Sequence, residues 1–216
     1  MKLDKKLIEA ALKLYAVTDR RWLKTEELKD QIEMAIKGGI TMVQLREKDL
    51  DKETFRRESD RIRDLCKNYN IPFIVNDNVE IAIETGADGI HVGQSDMEVG
   101  SVRKLIGEDM ILGVSAQTVE QALIAESKGA DYLGVGAIFP TNSKDDADSV
   151  SIEELKAICK AVNIPVVAIG GIDNKNIDKL EGSGIVGVAL ISAIFGQDNI
   201  EEASRKMLSK VDSLVK

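Results

Sequence analysis

A chain of 216 residues with a formal net charge of −8 and no dense basic block excludes nucleic acid and anionic membrane as main partners. Aromatic residues make up only 4% and apolar ones 44%, mostly Ile, Val, Leu and Ala, as expected where buried parallel strands alternate with helices. That length suffices for one α/β domain, and no apolar run approaches the ~18 residues that span a bilayer.

The chain opens on MKLDKKLIEAALKLY, a charged amphipathic helix pattern without the uninterrupted apolar core of a secretory signal. The first strand-like run is LYAVTD (14–19). Thr25 can then cap a helix whose Leu28, Ile32, Ala35 and Ile36 share a face, before Gly38-Gly39 stops it. Further strand-like runs are TMVQLR (41–46), PFIVND (72–77), GIHVG (89–93), MILGVS (110–115), DYLGVGAIF (131–139), PVVAIGG (165–171) and IVGVAL (185–190). Thr118 with Gln121, and Ser151 with Glu154, have capping-box spacing. From Asn199, Ile200, Ala203, Met207, Val211 and Leu214 fall on one stripe. A module recurs, TGADGIHVG (85–93) and KGADYLGVG (128–136), each reading as helix stop, turn and buried strand. Cys66 and Cys159 lie in separate helical stretches and read as reduced, half-buried thiols of a cytoplasmic protein.

Eight β-α units joined by short loops predict a single domain over 1–216, an α/β fold of the (β/α)8 TIM-barrel type with an extra N-terminal helix. An open, doubly wound sheet is the alternative. In a barrel every strand's C-terminal end points to the face that holds the active site. The strand ends supply Thr18-Asp19, the run Gln44 to Lys48, Asn76-Asp77, Gln94 to Asp96, Ser115, Thr141 to Lys144, Gly170-Gly171 and Ile191-Ser192.

Asp77 and Asp96 follow neighbouring strands, and two close carboxylates repel unless a cation sits between them. A hard divalent ion, Mg2+, suits such oxygen ligands; equally, Asp77 can cap the helix before Val79 and Asp96 can be a loop residue. Gln44, Arg46 and Lys48 alternate and so leave strand two on a common side, with Lys144 after strand six. Cations beside an acidic pair describe a site for a diphosphate. Gly170-Gly171 and a short helix opened by Ile191-Ser192-Ala193 suit a second phosphate, although the glycines can also serve only a turn. His91, the only histidine, reads as a hydrogen-bonded packing residue. With no base or nucleophile in view, the chemistry is one that a metal and cations drive by stabilising a departing diphosphate.

The ordered succession YAVTDR, VQLREKD, FIVNDNVEIAIETGADGIHVGQSDM, LGVSAQT, GADYLGVGAIFPTNSKDDA, VVAIGGI and VALISAI resembles the thiamine phosphate synthase (thiamine-phosphate pyrophosphorylase) family over nearly the whole chain. The resemblance implies a (β/α)8 barrel that joins hydroxymethylpyrimidine diphosphate to a thiazole phosphate. By that resemblance Gln44, Leu45, Arg46, Glu47, Lys48, Asn76, Ser115 and Lys144 hold the pyrimidine diphosphate, with Arg46, Lys48, Ser115 and Lys144 as catalytic residues. Asp77 and Asp96 hold Mg2+. Thr141, Asn142, Ser143, Gly171, Ile191 and Ser192 hold the thiazole phosphate. A homodimer is the family's habit. The segment DDADSVSIEEL (145–155) is more acidic and less rich in Gly and Pro than the family's usual version.

Three rivals remain. A thiazole tautomerase would carry a histidine soon after strand five, where this chain has Gln117. A barrel that binds thiamine precursors or a flavin without catalysis would have lost Arg46, Lys144 or an acid. A sugar-phosphate isomerase would need a general base near the substrate carbon, for which there is no better candidate than His91.

Overall fold

The computed structural model describes residues 4–23, 25–93, 98–141 and 149–215. All the predicted strands form: β1 (Leu14–Val17), β2 (Met42–Leu45), β3 (Phe73–Asn76), β4 (Gly89–Val92), β5 (Ile111–Ala116), β6 (Tyr132–Val135), β7 (Val166–Ile169) and β8 (Gly187–Leu190). They pair in parallel in chain order, and β8 returns to β1 to close a (β/α)8 barrel with helices between the strands. The open sheet is thereby excluded. The longest predicted run, 131–139, ends as a strand at Val135. Beyond it Ile138 and Phe139 still donate to the carbonyls of Ile169 and Gly170 at 3.0 Å, so the loop leans on the end of β7.

Alternation along each strand sorts side chains between two apolar clusters. Tyr15, Val17, Met42, Ile74, Ile111, Tyr132, Val167 and Ala189 share the inner one. Their neighbours, such as Leu14, Val43, Leu45, Phe73 and Val75, join the larger outer cluster with the helices. The predicted N-terminal helix is α1 (Lys5–Ala11), capped by the Asp4 carboxylate, which accepts from the Leu7 N–H at 2.9 Å. Its Ile8, Ala11 and the following Leu12 belong to the inner cluster, so α1 plugs the barrel's N-terminal mouth. Gly113 on β5 makes room inside. A β-carbon there would lie 2.1 Å from the Tyr132 ring and 2.5 Å from Nδ1 of His91.

The recurring GAD module works at that same mouth. Asp88 accepts from the Phe73 N–H, and Asp131 from the Leu112 N–H, both at 2.8 Å. Each thus ties the entry of its strand to the preceding one. Helix caps follow the predicted spacing only in part. α2 (Leu28–Lys37) starts at Glu27, whose N–H donates to Asp30 at 3.4 Å, while the Thr25 hydroxyl turns to Glu26. Ser151 caps α7 (Ile152–Ala161), but Glu154 reaches across to the Val119 N–H at 3.0 Å, at the start of α6 (Val119–Ser127). In α9 (Ile200–Leu214) the buried stripe runs through Ser204 rather than Ala203, because the Ser204 hydroxyl donates to the Ile200 carbonyl at 2.8 Å. Both cysteines are free thiols. Cys66 is fully buried rather than half-buried, and burial pushes its pKa up to about 12; Cys159 is partly buried, with its pKa pushed up to about 11. Among the described residues no helix is long and apolar enough to cross a membrane.

Candidate active site

The C-terminal ends of β1 and β2 are joined first. Thr18 donates its N–H to the Gln44 carbonyl at 2.9 Å and accepts the Arg46 N–H on its hydroxyl at 3.0 Å. This fixes the backbone of Arg46, whose side chain is only 14% exposed. Its guanidinium approaches Asp19 at 3.9 Å and makes no other polar side-chain contact among the described residues. Asp19 is itself held by Arg21, at 3.0 Å through the backbone N–H and 2.6 Å through the guanidinium. Burial works against the Asp19 charge. The hydrogen bonds from Arg21 and the fields of Arg21 and Arg46 outweigh it and hold the carboxyl below its ordinary range.

Glu47 points elsewhere. Its side chain is 3% exposed and accepts from Nε of Arg20 at 2.8 Å, and Arg20 also reaches Glu58 at 3.2 Å. Burial pushes the Glu47 carboxyl up, with Arg20 offsetting this only in part and Glu58 and Asp19 adding to it. The carboxylate is thus spent on anchoring Arg20. Leu45 packs in the outer cluster, which leaves its backbone as its route to a ligand. Lys48 is exposed at the rim.

At the end of β3 the chain turns sharply. Asp77 has φ 61°, a left-handed backbone that Asp and Asn tolerate better than most residues. Its N–H donates to the His91 carbonyl at 2.8 Å, and Nδ2 of Asn76 donates to its carboxylate at 2.5 Å. The helix α4 (Val79–Thr85) is capped by Asn78, which accepts the Ile81 N–H at 3.0 Å. Asp77 is therefore not the cap, and its exposed carboxylate sits on strained backbone at the mouth of the barrel. That hard oxygen donor fits a divalent cation.

Gln94, Ser95, Asp96, Asn142, Ser143 and Lys144 lie outside the described residues, and with them the second predicted metal ligand and one predicted cation. Among the described residues no group of three or more His, Cys, Asp or Glu gathers. On the opposite rim, Gly170 and Gly171 have φ of 96° and 63°. A β-carbon on Gly171 would lie 2.4 Å from the Pro140 carbonyl oxygen, so packing of the β6 loop already requires glycine there. The short helix α8 (Ser192–Phe195) begins at Ile191 without a side-chain cap, and Thr141 is partly exposed.

Inside the barrel lies a row of polar side chains. Nε2 of Gln44 donates to the Tyr15 hydroxyl at 2.6 Å, which lies 2.8 Å from that of Tyr132. Tyr132 lies 3.0 Å from Nδ1 of His91, and Nε2 of His91 lies 3.0 Å from Oγ of Ser115. His91 is thus a buried, hydrogen-bonded residue, as read from the sequence. Tyr15 and Tyr132 were not singled out there. The signal was Tyr15-x-Val17 beside Gln44, one inward-facing register on adjacent strands.

The Thiamine monophosphate synthase family matches residues 14–194. A "Thiamine-phosphate synthase" of Clostridium tetani is 55% identical over 194 residues, covering 90% of this chain and 93% of that protein. Another, of Clostridioides difficile, is 48% identical over 209 residues, covering 97% and 100%. The solved structure of a thiamine phosphate pyrophosphorylase from Pyrococcus furiosus superposes with a TM-score of 0.89 at 35% identity, covering 97% of this chain and 100% of that one. The chain belongs to the thiamine monophosphate synthase family.

Proposed function

We propose that the chain joins 4-amino-5-hydroxymethyl-2-methylpyrimidine diphosphate to 4-methyl-5-(2-hydroxyethyl)thiazole phosphate, releasing pyrophosphate and thiamine phosphate. The observation that carries this reading is Arg46, a nearly buried guanidinium at the catalytic face with most of its donors unspent among the described residues. It stands on the same face as the Asn76-Asp77 turn and Ser115. Buried guanidinium donors seek partners, and a diphosphate supplies them in bidentate form.

In this reading Arg46, Lys48 and Lys144 bind the diphosphate oxygens, while Gln44, Asn76 and Ser115 orient the pyrimidine. Leu45 and Glu47 shape the turn that presents Arg46. Thr141, Asn142, Ser143, Gly171, Ile191 and Ser192 hold the thiazole phosphate. Asp77 with Asp96 would hold Mg2+, which when bound supplies positive charge to the leaving group. The carbon–oxygen bond breaks with its electron pair leaving on pyrophosphate, and the thiazole nitrogen lone pair then forms the new carbon–nitrogen bond to the pyrimidine methyl cation. No proton is removed from carbon, which agrees with a site built from cations and hydrogen-bond donors rather than a base.

Purified protein given both substrates and Mg2+ should form thiamine phosphate and pyrophosphate, and EDTA should abolish turnover. Turnover that persists in EDTA removes the metal from the scheme, and absence of product with both substrates present removes the reaction.

A further inference from the structure

We infer that a directed hydrogen-bond chain, Gln44 to Tyr15 to Tyr132 to His91, keeps the imidazole proton on Nε2 and so turns the Ser115 hydroxyl hydrogen away from it, as a donor to the bound substrate. Tyr15, Tyr132 and His91 are then positioning residues that act through Ser115. The inference rests on the proposed role of Ser115 as a substrate ligand.

The argument is one of counting protons. An amide nitrogen donates and does not accept, and a phenol carries a single hydrogen. Gln44 places Nε2 against the Tyr15 oxygen at 2.6 Å, so the Tyr15 hydrogen passes on to the Tyr132 oxygen, 2.8 Å away. The Tyr132 hydrogen passes in turn to Nδ1 of His91 at 3.0 Å. Nδ1 therefore accepts, and the ring proton resides on Nε2, where it donates to Oγ of Ser115 at 3.0 Å. A neutral imidazole has one donor and one acceptor nitrogen, and the partner of one settles the other. The opposite polarity requires either the Gln44 carbonyl to face Tyr15 or a Tyr15 oxygen that accepts from both Gln44 and Tyr132 and leaves its own buried hydrogen without an acceptor, which costs a lost hydrogen bond. In either case Ser115 would donate to His91 and offer the substrate an acceptor. An amide on β2 thus decides the character of a hydroxyl on β5, across the interior of the barrel.

The chain is rigid and keeps its protons. Both phenols are fully buried, and desolvation raises their pKa values, for Tyr132 with a further push from Tyr15. The Tyr15 and Tyr132 rings meet edge to face with centroids 6.0 Å apart, and His91 lies 5.5 Å from Tyr132. Glycine beside the ring leaves it just enough room: a β-carbon on Gly134 would come within 3.1 Å of Cε1 of His91.

His91 is the only histidine, so the whole chain labelled with 15N-histidine reports a single imidazole. Spectra at pH 8 lie above the ordinary imidazole range near ~6.5. The protonated nitrogen should be the one coupled to both carbon-bound ring protons, which is Nε2. Tyr132→Phe should mix the two tautomers and lower kcat/KM for the pyrimidine diphosphate about tenfold, the scale of one misdirected hydrogen bond. In a Ser115→Ala background the same change should cost nothing further, since the coupling runs through that hydroxyl. A proton on Nδ1 in the unaltered chain, an unmoved tautomer in Tyr132→Phe, or an equal loss in the Ser115→Ala background would each overturn the inference. An unaltered chain with the proton on Nε2 but no thiamine phosphate made would sink the functional reading and leave the hydrogen-bond polarity standing.

Discussion

Arg103 and Arg46 are buried to nearly the same degree, with side chains 10% and 14% exposed, at opposite mouths of the barrel. Arg103, on α5 (Val99–Ile106), donates from Nε and both terminal nitrogens to the carbonyls of Gly107, Met110 and Gly129 and to Asp131, at 2.6–3.1 Å. Those bonds use the five N–H donors a guanidinium has. Among the described residues Arg46 makes one side-chain approach, to Asp19 at 3.9 Å. Burial alone therefore says little about a cation. The number of its donors left unspent separates a residue that holds the fold from one that awaits an anion.

Breaking each arginine in turn tests that distinction, beginning with the larger effect. Arg103→Ala should cost about 3–5 kcal/mol in urea unfolding, since it takes the guanidinium away from Asp131 and from the carbonyls of Gly107, Met110 and Gly129, while enzyme that remains folded keeps its kcat. Arg46→Ala should leave the unfolding midpoint nearly unchanged but lower kcat/KM by ~100-fold or more, as when a preorganised partner of transition-state charge is lost. If Arg46→Ala lost stability and kept activity, the two roles would have to be exchanged.

The Asp77 turn sharpens the contrast further. Glycine adopts φ 61° without strain, so Asp77→Gly should raise stability by up to about 1 kcal/mol while removing Mg2+-dependent turnover. A loss of stability would assign Asp77 to the fold. The smallest effect belongs to the thiols. With the pKa of Cys66 pushed up to about 12 and that of Cys159 to about 11, little thiolate exists at pH 8. Aromatic disulfide reagents should then label neither thiol rapidly until denaturant is added. The sign for stability follows. The folded values lie above the 9.0 of a free thiol, so this contribution is whole below pH 9 and fades as pH rises towards the folded values. Stability that increased from pH 9 upward would contradict it.

The barrel was legible because its evidence is local: FIVND or IPVVAIGG carries the apolar run, the turn residues and the strand end in a few consecutive letters. The place of Asp77 just past the end of β3 was legible for the same reason, and its competing role as a cap fell because Asn78 accepts the Ile81 N–H. What could not be read depends on partners distant in sequence. Glu154 has capping-box spacing from Ser151, yet its carboxylate is better used by Val119 on the neighbouring helix. Glu47 sits in QLREK, a run expected from the sequence to bind substrate, yet Arg20 claims it. The interior chain needs five strands in register before Tyr15, Tyr132 and His91 can be seen to touch. Alternation told which way each side chain points, but not what it would meet.

The plug at the N-terminal mouth has a consequence for biosynthesis. Ile8, Ala11 and Leu12 leave the ribosome before any strand of the barrel, yet they share their cluster with Ala189 of β8. A nascent chain halted before β8 thus exposes an unpaired sheet edge and a greasy helix with nothing to cover, the condition under which large barrels stick to one another. Closure of the barrel waits on β8, and residues translated ahead of β1 are the ones left longest without shelter.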